Sequence, residues 1–375
     1  MPALPSVRRV NLNRTAPVLT AALAGALALA ACGSDNKAGS TGANKSSSAA
    51  LCGSGSLAAQ GSTFQKNIEL QWIKDFAQQC KSLTVDYQGT GSGAGIQAFI
   101  ANQADFVGSD SLMKPDEQTG ADKRCSSGAA GSKAIHIPVT AGGIVLVYNL
   151  PGVKDLTLSA KTLAAIFQGT ITKWNDPAIA AENTGTKLPS TAIGAVHRSD
   201  ASGSTDVFSK FLDSQSGGAW KLGTGKELSW ATSIQAAKGS DGVTQAVTST
   251  EGAITYTELS FAVASNLTPA KIRNAAGEAI TADGEQVGKA LEAATVDESA
   301  GDLRVKLDFG TKSGYPISAV SYAIVCTSGN KNAAGLKAYL TYAVGKGQTG
   351  ATAIGYASLP SSLGGKVGSA VAAIS

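Results

Sequence analysis

Three short loops carry the residue types that hold an anion. Gly61 to Phe64, Thr90 to Gly93 and Ser202 to Thr205 each bring hydroxyls and glycine amides to the predicted start of a helix. A helix N-terminus leaves unpaired N–H groups and a partial positive charge, so each loop offers donors and a favourable field to a negative group. N-capping alone accounts for any one of them, because Ser and Thr are common there for that reason. Three in one chain, one of them beside Arg198, point further, to a shared anion site. Arginine's planar fork takes two oxygens of one anion, and hydroxyls with loop amides satisfy the others.

Competing chemistries find less support. The run GTGSGAG (Gly89 to Gly95) lacks the lysine of the G-x-x-x-x-G-K-[ST] phosphate loop. A relaxed G-x-G-x-x-A fits Gly89, Gly91 and Ala94, with Asp110 about 20 residues on, but the N-terminus directs this chain away from a supply of nicotinamide cofactor. G-x-S-x-G is met only loosely around Gly91-Ser92-Gly93. The two histidines have structural explanations, His136 alternating inside a buried strand and His197 preceding the arginine in another, so no catalytic base is expected. No CxxC occurs and the histidines are far apart, which leaves a zinc site without ligands. Neither a catalytic residue nor a cofactor is expected.

The elements that must position these loops alternate strand, glycine-rich turn and helix. Leu57 to Ala59 reads as a strand, and Ser62 or Thr63 as the N-cap of the following helix. Phe64, Ile68, Trp72, Phe76 and Cys80 recur every four residues and form one apolar stripe along that helix. Leu83, Val85 and Tyr87 alternate as a strand, Ile96, Phe99 and Ile100 mark a second helix, and a strand around Asp105 to Val107 ends in Gly108-Ser109-Asp110. Two helix-covered strand units in succession predict a parallel α/β sheet. Ala134 to Val139 and Gly143 to Tyr148 read as two strands separated by Thr140-Ala141-Gly142, and Ser159 caps a helix through Phe167. A strand from Ala192 to Val196 leads into the third loop and an amphipathic helix with Val207, Phe208, Phe211 and Leu212. Gly252 to Tyr256 and Ile317 to Cys326 are buried strands, and Ala333 to Val344 is a helix.

With 375 residues, 43% of them hydrophobic and 15% charged, the chain can build a core and is not disordered. The formal charge of +4 falls to +1 once Arg8, Arg9 and Arg14 are set aside, which argues against nucleic acid or polybasic membrane binding. Those arginines precede an Ala/Leu run, Ala16 to Ala31, ending in Leu29-Ala30-Ala31-Cys32. The run is too short and alanine-rich for a permanent span and reads as an export signal, residues 1–31. Cysteine directly after Leu-Ala-Ala resembles the bacterial lipoprotein box, which implies that Cys32 is lipidated. Residues 32–51 then form the lipidated cysteine and a polar Gly/Ser-rich tether, whose 18-residue stretch 33–50 reaches roughly 20 to 25 Å.

Cys52, Cys80, Cys125 and Cys326 remain, an even number in an exported chain, and disulfides are expected. Four cysteines allow three pairings. Cys52 and Cys80 each precede a strand, and parallel neighbours bring their starts together, which favours 52 with 80 and leaves 125 with 326.

AAQGSTF, YQGTGSGAG, DFVGSD, PVTAGGIVLVYN, GTITKWNDPAI, HRSDASGST, EGAITY and SGYPI follow in this order between about Leu57 and Leu359. In these motifs the chain resembles the PstS-type phosphate-binding proteins of bacterial phosphate ABC transporters. The resemblance implies a two-lobed periplasmic-binding-protein fold, α/β, with mixed, mainly parallel sheets flanked by helices and the ligand in the cleft between lobes. Lobe one is expected at 52–141 plus 313–375 and lobe two at 142–312, with hinge strands near Thr140 to Gly143 and Lys312 to Tyr315. Carried over by position, the family's ligands fall on Thr63, Phe64, Ser92, Asp110, Arg198, Ser202, Gly203 and Ser204, where Ser204 stands at a position often Thr. Asp200 matches an acid that supports the arginine. The implied protein is a monomeric receptor, not an enzyme, lipid-anchored on the outer face of the cytoplasmic membrane, that passes inorganic phosphate to permease subunits. A receptor for sulfate or molybdate and an exported phosphohydrolase are the alternatives; an additional adhesive role is a further possibility that these motifs do not address.

Overall fold

A computed structural model describes residues 52–298 and 302–375, so the predicted signal, Cys32 and the tether lie outside it. The chain opens with β1 (Gly55–Gly61), α1 (Lys66–Gln79), β2 (Leu83–Gly89), α2 (Ser92–Ile100), β3 (Phe106–Ser109) and α3 (Pro115–Gly128). β1 lies between two parallel neighbours, Leu57 opposite Val85 and Ala59 opposite Phe106. The predicted stripe is the buried face of α1: Ile68, Trp72 and Phe76 are at most 4% exposed. Each such side chain contributes roughly 1.5–3 kcal/mol relative to leaving it in water.

The predicted cap is absent. Helix α1 starts three residues beyond Thr63, with Gln65 at the N-cap position and no side-chain cap bond. The two hydroxyls are engaged elsewhere, Ser62 with Asp110 and Thr63 with Ser240.

The strands expected at Ala134 to Val139 and Gly143 to Tyr148 are one strand, β4 (Ala134–Tyr148), buried along its whole length. Next come β5 (Thr157–Leu158), α4 (Ala160–Phe167), α5 (Pro177–Glu182), β6 (Gly194–Arg198), α6 (Gly203–Gln215), β7 (Gln235–Ala237), α7 (Gly239–Ser249), β8 (Ala253–Glu258) and α8 (Leu259–Ala264). Ser159 caps α4 as expected, accepting from the Thr162 amide. The strand predicted from Ala192 begins later and runs on to Arg198, which puts the guanidinium at a strand end. After β9 (Lys271–Arg273), β10 (Ala279–Ile280), α9 (Gly284–Leu291), β11 (Thr295–Asp297) and β12 (Arg304–Lys306), the chain returns through β13 (Ser318–Cys326) and finishes with α10 (Ala333–Val344) and α11 (Ser361–Ala373).

Eight strands form one mixed sheet in the order β2-β1-β3-β13-β4-β8-β6-β7. β4 is its spine. Residues Ala134 to Gly143 pair antiparallel with β13, and residues Ile144 to Tyr148 pair antiparallel with β8. Only Ile144 touches both, its amide still donating to Ile317 O beside β13. The fold is therefore α/β with both strand senses, and the first loop-bearing strands, β1 and β3, sit on the opposite side of β4 from β6 and β8.

Cys52 bonds to Cys80 and Cys125 to Cys326. The first joins the starts of two parallel strands, as expected. The second ties α3 to the end of β13, closing a small core of Ile96, Phe99, Val107, Met113 and Ile324 on one face of the sheet.

Candidate functional site

The three loops converge. Gly61 to Phe64 follows β1, the Thr90 to Gly93 loop follows β2, and Ser202 to Thr205 follows β6, so each leaves the carboxyl end of its strand, with β1 and β2 running one way and β6 the other across β4. Open α/β sheets bind ligands outside the carboxyl ends of their strands, where loops and helix N-termini meet. The second loop is shorter than it reads in sequence, because α2 already begins at Ser92, after Gly91 with φ +96°. Gly91 and Gly93 approach the segment before α6 closely: a Cβ on Gly91 would lie 2.4 Å from an Asp200 carboxylate oxygen, and the Gly93 amide donates to Ala201 O at 2.9 Å.

Arg198 is 4% exposed, and its guanidinium is divided between two tasks. Nε and Nη2 donate to the two Asp200 oxygens at 2.8 and 2.6 Å, and Nη1 donates to Ser240 Oγ at 3.2 Å. Of its five N–H groups, one on each terminal nitrogen remains for a further acceptor. Burial works against this cation, but the Asp200 carboxylate outweighs it and raises the arginine's pKa above its ordinary value. Asp200 is held below the usual carboxylate range although burial pushes the other way, because Arg198 pairs with it; the Gly239 amide adds a bond at 2.9 Å. Ser240 in turn meets Thr63 Oγ1 at 2.7 Å, which brings the first loop to the arginine.

Asp110, at the end of β3, is buried among hydroxyls. Its Oδ1 accepts from Ser62 and from Ser321, each at 2.5 Å, and its Oδ2 accepts from Ser92 at 3.3 Å. Burial raises its pKa to about 6; Ser321 and Ser62 hold it back, Glu258 adds to the rise and Arg198 opposes it. The Phe64 carbonyl accepts from Tyr356 at 2.5 Å, which fixes the first loop from behind. Ser202 caps α6, its Oγ accepting from the Thr205 amide at 3.3 Å. Ser204 donates to Glu258 Oε1 at 2.5 Å. Each sequence-predicted site residue thus lies within this cluster or on a loop bordering it.

Sequence reading missed Ser240, Glu258 and Ser321 as members of the cluster. Each sits on an element remote in sequence from the loops, so only the fold brings it in. It also missed Lys226, whose Nζ donates to Glu117 at 2.8 Å with both side chains under 10% exposed. The Lys226 carbonyl accepts from the Ser202 amide at 2.9 Å, so this ion pair is wired to the third loop.

The histidines are committed elsewhere. His136 accepts from the Met113 amide at 3.1 Å through Nε2 and faces Asp302 through Nδ1, and His197 stacks on Trp230 with centroids 4.8 Å apart. Neither touches a site hydroxyl in these contacts.

Gly203 is where the two sides of the cluster touch. A methyl there would lie 2.6 Å from Asp110 Cβ and 2.7 Å from Ser92 Oγ. Gly203→Ala is expected to weaken anion binding by about 1–3 kcal/mol, roughly 5- to 150-fold, the cost of overpacking a fitted contact. Titration calorimetry reads it; unchanged affinity would mean that binding does not need this contact.

Residues 46–346 match the PBP superfamily domain. The "Phosphate-binding protein PstS 3" of Mycobacterium leprae is 40% identical over 375 residues, covering 97% of this chain and 100% of the relative. "Phosphate-binding protein PstS 2" of Mycobacterium tuberculosis is 38% identical over 370 residues, covering 96% and 99%. Among solved structures, a high-affinity periplasmic phosphate-binding protein bound with phosphate superposes with a TM-score of 0.68 at 21% identity, over 84% of this chain and 93% of that one.

Proposed function

This chain belongs to the PstS phosphate-binding proteins of the PBP superfamily, and on that premise we propose that it is an extracytoplasmic receptor that captures inorganic phosphate and delivers it to an ABC transporter permease. The observation that carries the reading is the meeting of a half-used, buried guanidinium with hydroxyl- and amide-rich loops beside a buried carboxylate that can only accept while ionised. Thr63, Phe64, Ser92 and Asp110 form one side of the phosphate shell; Arg198, Ser202, Gly203 and Ser204 form the other, with Asp200 as support.

The lobes are 52–141 with 313–375, and 142–312, hinged near 140–143 and 312–315. The change of partner in β4 between Gly143 and Ile144 supports this division. The receptor is a monomer held by lipid on Cys32 through the tether, and it does no catalysis.

Titration calorimetry with phosphate tests the reading, and turnover of p-nitrophenyl phosphate would overturn it in favour of a hydrolase. Asp110 supplies a pH-dependent check. Ionised at neutral pH, it accepts the proton that phosphate carries and sulfate lacks, so sulfate leaves a buried acceptor facing a bare anion oxygen. Its pKa is raised to about 6. The sign follows: above that pH sulfate is rejected, and as pH falls through it the carboxyl becomes a donor and sulfate begins to bind. Asp110→Asn is expected to discriminate less across the range. Equal binding of sulfate and phosphate by the native protein near neutrality would refute both the role and the ligand.

A further inference from the structure

Helix α1 carries an acid on its buried face. Glu69 is 2% exposed, and among the described residues its carboxyl has one hydrogen-bond partner, the Tyr339 hydroxyl of α10, which donates to Oε2 at 2.5 Å. The surroundings are aromatic. Phe76 of α1 and Phe106 of β3 pack on the Tyr339 ring with centroids 5.3 and 5.8 Å away, and the buried Tyr87 of β2 directs its own proton to the Ser62 carbonyl at 2.8 Å. No described cation is paired with the carboxyl. Lys66 and Asp75 on the same helix are taken by Asp241 and Gln71, and Lys74 is exposed. Lys337 on α10 lines a groove with Cys52 and Thr341, and Asp86 on β2 is exposed beside Gln88. Asp110, the other buried carboxyl that acts on Tyr87, has the same sign.

A buried carboxyl stays ionised only when a cation or several N–H donors hold its charge, and a single phenol does not do that. From this geometry we propose that Glu69 is kept as the uncharged acid in the folded chain and works as a proton-dependent clasp between α1 and α10, tight in acid and weaker as pH rises. Burial pushes its pKa from 4.5 up to about 8, with Tyr339 holding it back. The unfolded chain releases this proton near the ordinary value, so folding takes one proton up in the interval between the two. The stabilisation is complete below about 4.5 and gone above about 8. Asp200 and Asp302 work the other way: against the effect of burial they are held low by Arg198 and His136, so acid removes what they contribute. An extracytoplasmic receptor, on the reading above, meets the pH of its surroundings, and Glu69 offsets part of that loss.

Chemical denaturation of the phosphate-free full chain from about pH 6.5 to about pH 9.5 tests this, in a range above the titration of Asp110, whose pKa burial raises to about 6. Relative to Glu69→Gln, which is uncharged at every pH, the native unfolding constant should rise about tenfold per pH unit up to about pH 8 and run parallel beyond it. Tyr339→Phe removes the bond that holds the pKa back, so its levelling-off should move to higher pH. A Glu69→Gln protein with the native slope overturns the proposal, and so does a native unfolding constant that does not rise up to about pH 8. If Glu69→Gln does not fold, a Tyr339→Phe levelling-off that stays at the native pH overturns it. No ligand enters these measurements, so a chain that shows the linkage yet binds no phosphate overturns the receptor reading alone.

Discussion

Replacing Arg198 by lysine is expected to weaken phosphate binding by about 1.5–3 kcal/mol, roughly 10- to 150-fold, the worth of a charge-assisted hydrogen bond. The charge is conserved, so the loss reports geometry. The guanidinium serves Asp200 along one edge through Nε and Nη2 and keeps an N–H on each terminal nitrogen for the ligand. An ammonium has a single nitrogen and cannot hold Asp200 and two anion oxygens in one plane. Arg198→Ala should lose more, because Asp200 would then meet the anion unpaired. Calorimetry on the three proteins gives the ranking, and an Arg198→Lys protein with native affinity removes the residue from the site.

Lys226→Met should produce a comparable or larger loss without touching the ligand. Lys226 pairs with Glu117 at 2.8 Å, both buried, and the two belong to opposite sides of β4, α3 on one and the segment before β7 on the other. On the proposed hinge, opening the cleft would return both charges to water and closing it would bury them. With lysine gone, closure would strand the Glu117 carboxylate, a penalty of about 3–5 kcal/mol for a broken buried pair and so a fall in affinity of roughly 150- to 5,000-fold. Lys226→Met combined with Glu117→Leu removes both charges and should recover most of the affinity. If the single variant binds like the native protein, the pair does not act on closure.

Much of this was legible in the chain. The apolar stripe of α1, the alternation in β2 and the disulfide joining two strand starts all rest on local spacing, and the structure keeps them. The failures have a common cause, which is that a residue's partner lies far away in sequence. Thr140-Ala141-Gly142 looks like a break because glycine disfavours strands. Gly142 instead leaves room for the Phe64 ring, which a Cβ would approach to 2.9 Å, and Gly143 does the same for Tyr315 at 3.3 Å. Ser62 and Thr63 resemble caps, yet their hydroxyls are taken by Asp110 and Ser240 from other strands and helices. Glu258 carries no local signal, since a carboxylate ending a strand looks like a surface residue until Ser204 is placed against it.

The handover in β4 has a consequence for hydrogen exchange. Gly143 belongs to one ladder and Ile144 to the other, with the Ile144 amide still donating to Ile317 O beside β13, so on the proposed hinge the two sides would rotate by twisting a single strand around this one shared residue. Opening of that kind is expected to leave the ladder amides away from Ile144 exchanging only with global unfolding. The cycle is written instead in the few amides that bond across the cleft, Gly93 to Ala201 O and Ser240 to Thr63 Oγ1. Their exchange rates count openings, and phosphate slows them while the strands beneath stay silent.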